Sequence, residues 1–237
     1  MEQDPHQRRT IVAGEEIVLT GSEVVLIPLT RSHCSPLERV AGEFAQKKSE
    51  YPFSFVPLTA AEVRSYVDAA LHQRQAGERY PFAVQWNGTI VGSTSYATLD
   101  FWTWPEESAQ MRRRGPDAVE IGATWIAPSA QRTRCNTESK FLLLIRAFEN
   151  WKVHRVTLKT DERNNRSRRA IERIGARLEG VRRVDMVGRD GAPRDSAYYS
   201  IVASEWPEVK SRLEHMLAKH GRSSVWRGEY LEMQPGM

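Results

Sequence analysis

The chain has 237 residues, of which 40% are hydrophobic and 27% are charged, and its formal net charge is +4. These values indicate one large globular domain or two small ones, and they exclude collagen-like, low-complexity and intrinsically disordered chains. The positive charge is too small to indicate nucleic-acid binding by itself. The sequence contains no run of about 18 apolar residues, so it predicts no membrane-spanning helix.

The cysteine content and the start of the chain lead to further expectations. Cys34 and Cys135 are too few and too far apart for a disulfide framework or a zinc motif. The polar start Met1–Pro5 lacks the apolar segment of a secretory signal. We therefore expect reduced thiols, no metal site, no membrane contact, no nucleic-acid partner and a cytoplasmic location.

The first half of the chain predicts strands, helices and a hairpin. In chain order, the patterns predict a flexible N-terminal arm at 1–14, strands at 17–19 and 24–27, a weak helix at 33–49, an aromatic loop at 50–58, a helix from Thr59, strands at 81–86 and 89–96, and an irregular insertion at 99–118. Thr59 and Glu62 form a capping box at the start of their helix. Asn87-Gly88 suits the positive φ angles of a type I′ hairpin turn.

The second half predicts the remaining elements of one α/β domain. They are a strand at 120–126, a long buried helix from Asn136, a strand at 155–159, a short helix at 167–174, a hairpin of 177–187 with 196–202, and a final helix at about 204–219. Alternating strands and helices favour a mixed sheet within a single domain at 15–220. A loose tail is expected at 221–237.

The segment Ile126–Glu138 joins a strand to the long helix and predicts an anion or pyrophosphate site. A helix N-terminus presents about four unpaired N–H groups and a partial positive charge. Arg132 and Arg134 add two cations just before it. The alternative is an ordinary capped helix with two exposed arginines.

Two further features could belong to the same site. Residues 161–167 join the next strand to a helix, and ligands of open α/β sheets favour such edges. Ser167 could be the N-cap of that helix, and Asn164 could be a turn residue. Glu120 starts a strand and could act as a base, or it could be an edge glutamate facing water or an arginine.

An ordered set of blocks resembles the GNAT acetyltransferase superfamily, in particular its branch of ribosomal-protein N-terminal acetyltransferases, RimJ and RimL. The blocks lie at 119–125, 131–138, 154–161, 164–167, 170–176, 179–180, 191–195, 200–201 and 205–206. The match is clear over 80–206 and loose over 15–79. The resemblance implies a V-shaped mixed sheet, splayed where two parallel central strands part, with acetyl-CoA as the cosubstrate inside the V and no metal.

The resemblance also implies cofactor contacts. The pantetheine would pair with the backbone near Trp125, Ile126 and Ala127, and Asn164 would orient it. The pyrophosphate would lie on the N–H groups of Arg132, Thr133, Arg134, Cys135, Asn136 and Thr137. Arg134 and Asn136 stand where the family usually has glycine or another small residue, so Arg134 must adopt a conformation easier for glycine or turn outward onto the phosphate.

The implied reaction is direct acetyl transfer to a primary amine, without an acyl-enzyme. Glu120 would be the base, the N–H near Ile126 would bind the carbonyl oxygen, and Ser167 would protonate the departing thiolate. Tyr199 is a second candidate acid, although strand packing also explains it. The loop 50–58 and the insertion 99–118 should flank the mouth of the cleft.

The acceptor and the assembly stay open at this stage. The acceptor could be a protein or peptide N-terminus, a small-molecule amine, or an antibiotic, which would make this an antibiotic-modifying acetyltransferase. A degenerate GNAT-fold binding or regulatory protein without acetyl transfer is the alternative function. Both a monomer and a homodimer are compatible with the sequence.

Overall fold

The computed structural model describes residues 5–218, which form six α-helices around one eight-stranded sheet. The helices are α1 (Pro5–Gly14), α2 (Cys34–Gln46), α3 (Ala60–Gln75), α4 (Cys135–Ile145, extended by a π-helical turn at Arg146–Asn150), α5 (Asn165–Arg173) and α6 (Trp206–Ala218). The strands are β1 (Leu19–Thr20), β2 (Val24–Pro28), β3 (Tyr80–Trp86), β4 (Thr89–Asp100), β5 (Ala118–Ile126), β6 (Arg155–Asp161), β7 (Arg177–Val187) and β8 (Pro193–Val202).

The sheet has the strand order β1-β2-β3-β4-β5-β6-β8-β7, and its only parallel pair among the described residues is β5 with β6. These two strands pair over three positions, from Ala118 with Arg155 to Glu120 with Thr157. Both strands then continue without pairing to each other. The opening between them, called the cleft below, confirms the V-shaped mixed sheet predicted from the sequence.

Local signals predicted several elements correctly. Asn87 and Gly88 have φ angles of 47° and 79°, as a type I′ turn requires. Thr59 caps α3, because its Oγ1 accepts a hydrogen bond from the Glu62 N–H at 3.2 Å. The Glu62 carboxylate accepts in turn from the N–H of Leu58, at 2.7 Å.

Alternate residues of β4 point to opposite layers of helices, as a strand requires. Ser93 Oγ lies 2.9 Å from the Tyr66 hydroxyl of α3, whereas Thr94 Oγ1 lies 3.4 Å from Lys140 Nζ of α4. Helices α2 and α3 therefore cover one face of the sheet around β4, and α4 covers the opposite face. Both faces contribute apolar residues to one core.

The prediction of a flexible arm at 1–14 is wrong for residues 5–14, which form α1. Val12 is fully buried, and Arg8 is 2% exposed with its guanidinium 3.1 Å from the Asp117 carboxylate. The polar sequence concealed this packing because an arginine can be buried when a carboxylate neutralises it. Residues 1–4 and the predicted tail at 221–237 lie outside the described residues.

The insertion between β4 and β5 packs onto the body of the protein through Asp117. This carboxylate is fully buried and accepts hydrogen bonds from the Trp102 N–H at 2.8 Å and from Trp104 Nε1 at 2.9 Å. Trp102 also stacks on His154, with ring centroids 5.6 Å apart and planes inclined by 7°. The aromatic residues of the insertion are therefore packing residues.

The prediction that this insertion flanks the mouth of the cleft is wrong. Asp100 pairs with Ala118, and Ala118 pairs with Arg155, so the insertion leaves the sheet where β5 and β6 are still joined. The cleft opens beyond Glu120, towards the other end of β5. Within residues 5–218, no helix is both long and apolar enough to cross a membrane.

Candidate active site

Glu120 stands at the vertex of the cleft, as the last residue of β5 that pairs with β6. Its side chain is 15% exposed, and its Oε2 lies 3.4 Å from Lys159 Nζ on β6. Burial raises the pKa of Glu120, and the Lys159 charge counteracts part of that shift. A mostly buried carboxylate with a raised pKa is suited to take a proton from an amine. The structure thus places Glu120 inside the sheet and beside a lysine, where the sequence had also left open an edge position facing water or an arginine.

A bulge turns the backbone of β5 beyond the vertex. Ser95 pairs with Gly122 but Ser93 pairs with Trp125, so β5 carries an extra residue there, and Ala123 has a φ of 47°. A bulge bends a strand and redirects its backbone groups. This one lies in the part of β5 that borders the cleft.

Of the three residues predicted to pair with the pantetheine, only Ile126 presents its N–H to the cleft. The Ala127 N–H donates to Val91 O of the β4 side at 2.7 Å, so the N–H of the preceding residue faces the opposite way. The backbone of Trp125 faces β4 as well: a Cβ added to Gly92 of β4 would lie only 2.1 Å from the Trp125 carbonyl oxygen. Ile126 O is already occupied by Gln131 Nε2, at 2.8 Å.

The start of α4 fits an anion. Among the described residues, no acceptor faces the N–H groups of Asn136 and Thr137, since the first intrahelical bond runs from Glu138 N to Arg134 O. Arg132 has a φ of 60°, a left-handed conformation that turns the chain into the helix. The N–H groups and the positive end of the helix dipole together favour phosphate at this position.

Arg134 does not adopt a conformation reserved for glycine. Its φ of −71° and ψ of −20° are right-handed helical values, so the replacement of glycine costs no backbone strain there. Its guanidinium lies 3.2 Å from Glu23 Oε1 in the turn between β1 and β2. The first alternative derived from the sequence is thus wrong, and the left-handed residue of this segment is Arg132.

Other residues of the segment have partners within the protein. The Cys135 N–H donates to Thr133 Oγ1 at 3.2 Å, and burial raises the pKa of the Cys135 thiol to about 12. Thr137 Oγ1 accepts a hydrogen bond from Arg173 of α5 at 2.9 Å. Cys135 is therefore a packing residue, and Thr137 joins α4 to α5.

The loop between β6 and α5 lies beside the start of α4, as predicted. Asn164, and not Ser167, is the N-cap of α5: its Oδ1 accepts from the Ser167 N–H at 3.1 Å. This cap uses the amide oxygen of Asn164, and the amide nitrogen takes no part in it. Tyr51 connects the two loops, because its hydroxyl donates to Gln131 Oε1 at 3.0 Å and its ring lies 4.2 Å from the Arg166 guanidinium.

Tyr199 does not reach the cleft. Its side chain is fully buried beneath α5, where its hydroxyl accepts from Arg168 Nε at 3.0 Å and donates to Glu172 Oε1 at 2.9 Å. Burial raises the pKa of this hydroxyl. The structure thus supports the packing interpretation, because both hydrogen-bonding positions of the phenol are occupied.

The aromatic loop 50–58 extends over the β6–α5 and β8 side of the sheet. The Arg163 guanidinium lies 4.4 Å from the Phe53 ring, and the Arg194 guanidinium lies 6.0 Å from the Phe55 ring. Phe55 also lines an open hollow of about 450 Å³ between this loop, α3 and the β7–β8 turn. These contacts place the loop beside the face on which Glu120 and Arg194 lie.

Sequence reasoning missed the charged residues around Glu120. Lys159 follows two positions after Thr157 on β6, and Tyr198 pairs with Lys159 from β8. Asp185 and Arg194 also act electrostatically on Glu120. The period of two along β6 could have indicated Lys159, but Tyr198 and Asp185 depend on the order of the strands.

Comparison with known proteins identifies the class of this chain. A family model described as the acetyltransferase (GNAT) domain matches residues 23–177, which is more than half of the sequence. The chain therefore belongs to the GNAT family of N-acetyltransferases. This assignment confirms the family and the fold expected from the ordered blocks of residues.

Individual relatives agree with this assignment. The protein named "Putative ribosomal N-acetyltransferase YdaF" from Bacillus subtilis (strain 168) is 32% identical over 147 residues, which is 62% of this chain and 68% of the relative. A GCN5-related N-acetyltransferase from Brucella melitensis superposes with a TM-score of 0.71 at 28% identity and covers 92% of both chains. Mycobacterium smegmatis RimJ, solved in complex with CoA-disulfide, shares the fold with a TM-score of 0.65 at 21% identity, over 86% of this chain and 93% of that chain.

Proposed function

We propose that this protein acetylates the α-amine of a protein or peptide, with acetyl-CoA as the cosubstrate and Glu120 as the base. The observation that carries the proposal is the position of the Glu120 carboxylate at the vertex of the cleft. The N–H of Ile126 and the first turn of α4 border the same opening. The choice of a protein α-amine rests on the relative named as a ribosomal N-acetyltransferase.

The residues present fit acetyl-CoA. The N–H groups of Asn136 and Thr137 suit its pyrophosphate, and the Ile126 N–H suits its extended pantetheine arm or the acetyl oxygen. Arg132, Thr133 and Arg134 precede the helix and supply two cations and a hydroxyl. When bound, acetyl-CoA would supply the acetyl group, which passes from its thioester to the acceptor amine.

Each step of the transfer has a candidate group on this chain. Glu120 takes the proton of the acceptor ammonium, directly or through one water, because only a neutral amine can attack. The Ile126 N–H donates to the acetyl oxygen as that oxygen gains charge. Ser167, in the first turn of α5, would donate its hydroxyl proton to the departing sulfur and regain a proton from the amine nitrogen as the amide forms, and Asn164 would orient the arm.

Cosubstrate binding is tested by titrating acetyl-CoA, CoA and desulfo-CoA into the purified protein by calorimetry. Binding at micromolar concentration is expected. Absence of binding at high micromolar concentration would contradict the enzymatic proposal and would favour a GNAT-fold binding protein. Peptides with a free or a formylated N-terminus then distinguish an α-amine acceptor from a lysine side chain, and small amines and aminoglycosides serve as competing acceptors.

We expect Glu120→Gln to lower kcat at least 100-fold without changing the dissociation constant of acetyl-CoA, since a general base contributes about 10² to 10⁴. The matched control is Glu106→Gln in the insertion, which should keep wild-type kcat. An activity of Glu120→Gln within threefold of wild type would exclude the base role.

Ser167→Ala should lower kcat at least tenfold, or about 1.4 kcal/mol, if its hydroxyl is the acid.

A further inference from the structure

Lys159 is the ionic partner of Glu120 and has no role in the reaction described so far. It lies on β6 two residues beyond Thr157, where β5 and β6 have already separated. Since side chains alternate along a strand, Lys159 shares the face of Thr157, the residue that pairs with Glu120. Lys159 Nζ lies 3.4 Å from Glu120 Oε2.

The surroundings of Lys159 hold its ammonium at this position. Its Nζ lies 5.5 Å from the centroid of the Tyr198 ring on β8, within the range of a cation–π contact. The Tyr198 hydroxyl donates to the Asp185 carboxylate of β7, at 3.1 and 3.2 Å. Asp185 is in turn 3.2 Å from Arg182 Nε. Two further strands therefore brace the Lys159–Glu120 pair.

The charged groups that face Glu120 come from three strands. Lys159 of β6 and Arg194 of β8 favour its ionised form, whereas Asp185 of β7 opposes it. Among the described residues, Lys159 is the only basic side chain with a nitrogen within 4.0 Å of the carboxylate oxygens. Lys159 is therefore the group whose removal should change Glu120 most.

We propose that Lys159 is a positioning residue for acetyl transfer, whose ammonium fixes the Glu120 carboxylate at the vertex of the cleft and keeps it ionised. This inference rests on the proposed role of Glu120 as the base. An ionised carboxylate can accept a proton from the acceptor ammonium, whereas a protonated one cannot. The ammonium also orients one carboxylate oxygen and leaves the other for the acceptor.

The direction of the effect follows from the two opposing causes at Glu120. Burial raises the pKa of Glu120, and the charge and hydrogen bond of Lys159 lower it again. For Lys159, burial is the largest single cause and lowers the pKa, but Glu120, Tyr198 and Asp185 together raise it more, so the net shift is upward. Each group therefore favours the charged form of the other. Without the ammonium, the pKa of Glu120 should rise, and a larger part of the enzyme should be protonated and inactive below neutral pH.

The first test is the pH profile of kcat/KM for wild type, Lys159→Met and Lys159→Arg. We expect the acid limb of Lys159→Met to move up by about one pH unit, the size of effect typical of an opposite charge at this distance. Lys159→Arg should restore the wild-type limb. Lys210→Met is the matched control, because it removes another lysine–glutamate pair, with Glu149 at 2.8 Å, remote from β6.

The second test measures the carboxylate itself, by titration of ¹³C-labelled glutamate carboxyl groups with Glu120→Gln used to assign the Glu120 signal. The Glu120 titration should shift upward in Lys159→Met and not in Lys210→Met. An unmoved titration in folded Lys159→Met overturns the inference, whatever the activity. An active Glu120→Gln overturns the base role instead, while a shifted titration would still show that Lys159 controls the carboxylate.

Discussion

Arg132 is the residue on which the geometry of the α4 entrance depends. Its φ of 60° places an exposed side chain in the left-handed region, which costs an L-residue roughly 1 to 2 kcal/mol. Arg134, two positions later, has helical angles and pairs with Glu23. The position that glycine would favour in this loop is thus not the one that the sequence comparison indicated.

We predict opposite effects of glycine at these two positions. Arg132→Gly should raise the free energy of unfolding by about 0.5 to 1 kcal/mol, because glycine adopts a positive φ without strain. Arg134→Gly should lower it by about 1 kcal/mol, because it loses the Glu23 pair at a helix boundary. Urea denaturation measures both. Equal effects of the two substitutions would show that the loop does not hold these conformations in solution.

At the scale of elements, the two aromatic segments differ in what they contact. The insertion between β4 and β5 packs on Asp117 and His154 at the joined end of β5 and β6, and α1 packs against it through Arg8. The loop 50–58 instead lies on the arginines of the β6–α5 loop and of β8. Similar aromatic content therefore stabilises the fold in one segment and borders the candidate site in the other.

This difference predicts separable phenotypes for Trp102→Ala and Phe55→Ala. Trp102→Ala should lower the free energy of unfolding by about 1 to 2 kcal/mol through the lost His154 stack, and keep kcat/KM within twofold of wild type. Phe55, 47% exposed, should contribute little to stability, and its removal should raise the KM for the acceptor. Steady-state kinetics measures kcat/KM and the KM for the acceptor, and chemical denaturation of the same samples measures the free energy of unfolding. A large loss of kcat/KM in folded Trp102→Ala would contradict the assignment of the insertion to packing.

At the scale of the whole molecule, Lys140 connects helix α4 to the sheet strands β4 and β5. Its Nζ donates to Thr124 Oγ1 at 2.6 Å, and Thr124 Oγ1 lies 2.7 Å from Thr94 Oγ1. None of the ion pairs within residues 5–218 includes Lys140, and burial lowers its pKa to about 7. An ammonium buried without a carboxylate disfavours the folded state wherever the unfolded chain is protonated.

The stability of the whole domain should therefore depend on pH through Lys140. The unfolded chain holds this proton up to about pH 10.5 and the folded chain only up to about pH 7, so stability rises with pH between these values. The slope attributable to Lys140 is about 1.4 kcal/mol per pH unit. Lys140→Met should be more stable than wild type at pH 7, and the difference should vanish near pH 10.5. The role of Lys140 would be refuted if the stability difference between Lys140→Met and wild type did not vary with pH. It would also be refuted if Lys210→Met showed the same difference.

Local patterns determined the elements and part of the site. The Asn87-Gly88 turn, the Thr59 cap and the start of α4 depend on interactions within a few residues, so the sequence was sufficient to predict them. The ordered blocks likewise predicted the splayed sheet, the vertex glutamate and the amide-rich entrance of α4. The blocks did so through the resemblance to the GNAT family, and not through local backbone preferences.

Only the tertiary structure decided which distant side chains meet. β8 lies between β6 and β7, and this order brings Tyr198 beside Lys159 while it buries Tyr199 beneath α5. The same applies to Asp117, whose partner Arg8 is far away in the sequence. The physical reason is that the order and splay of strands arise from packing of the complete sheet and its helices, which local backbone preferences do not encode.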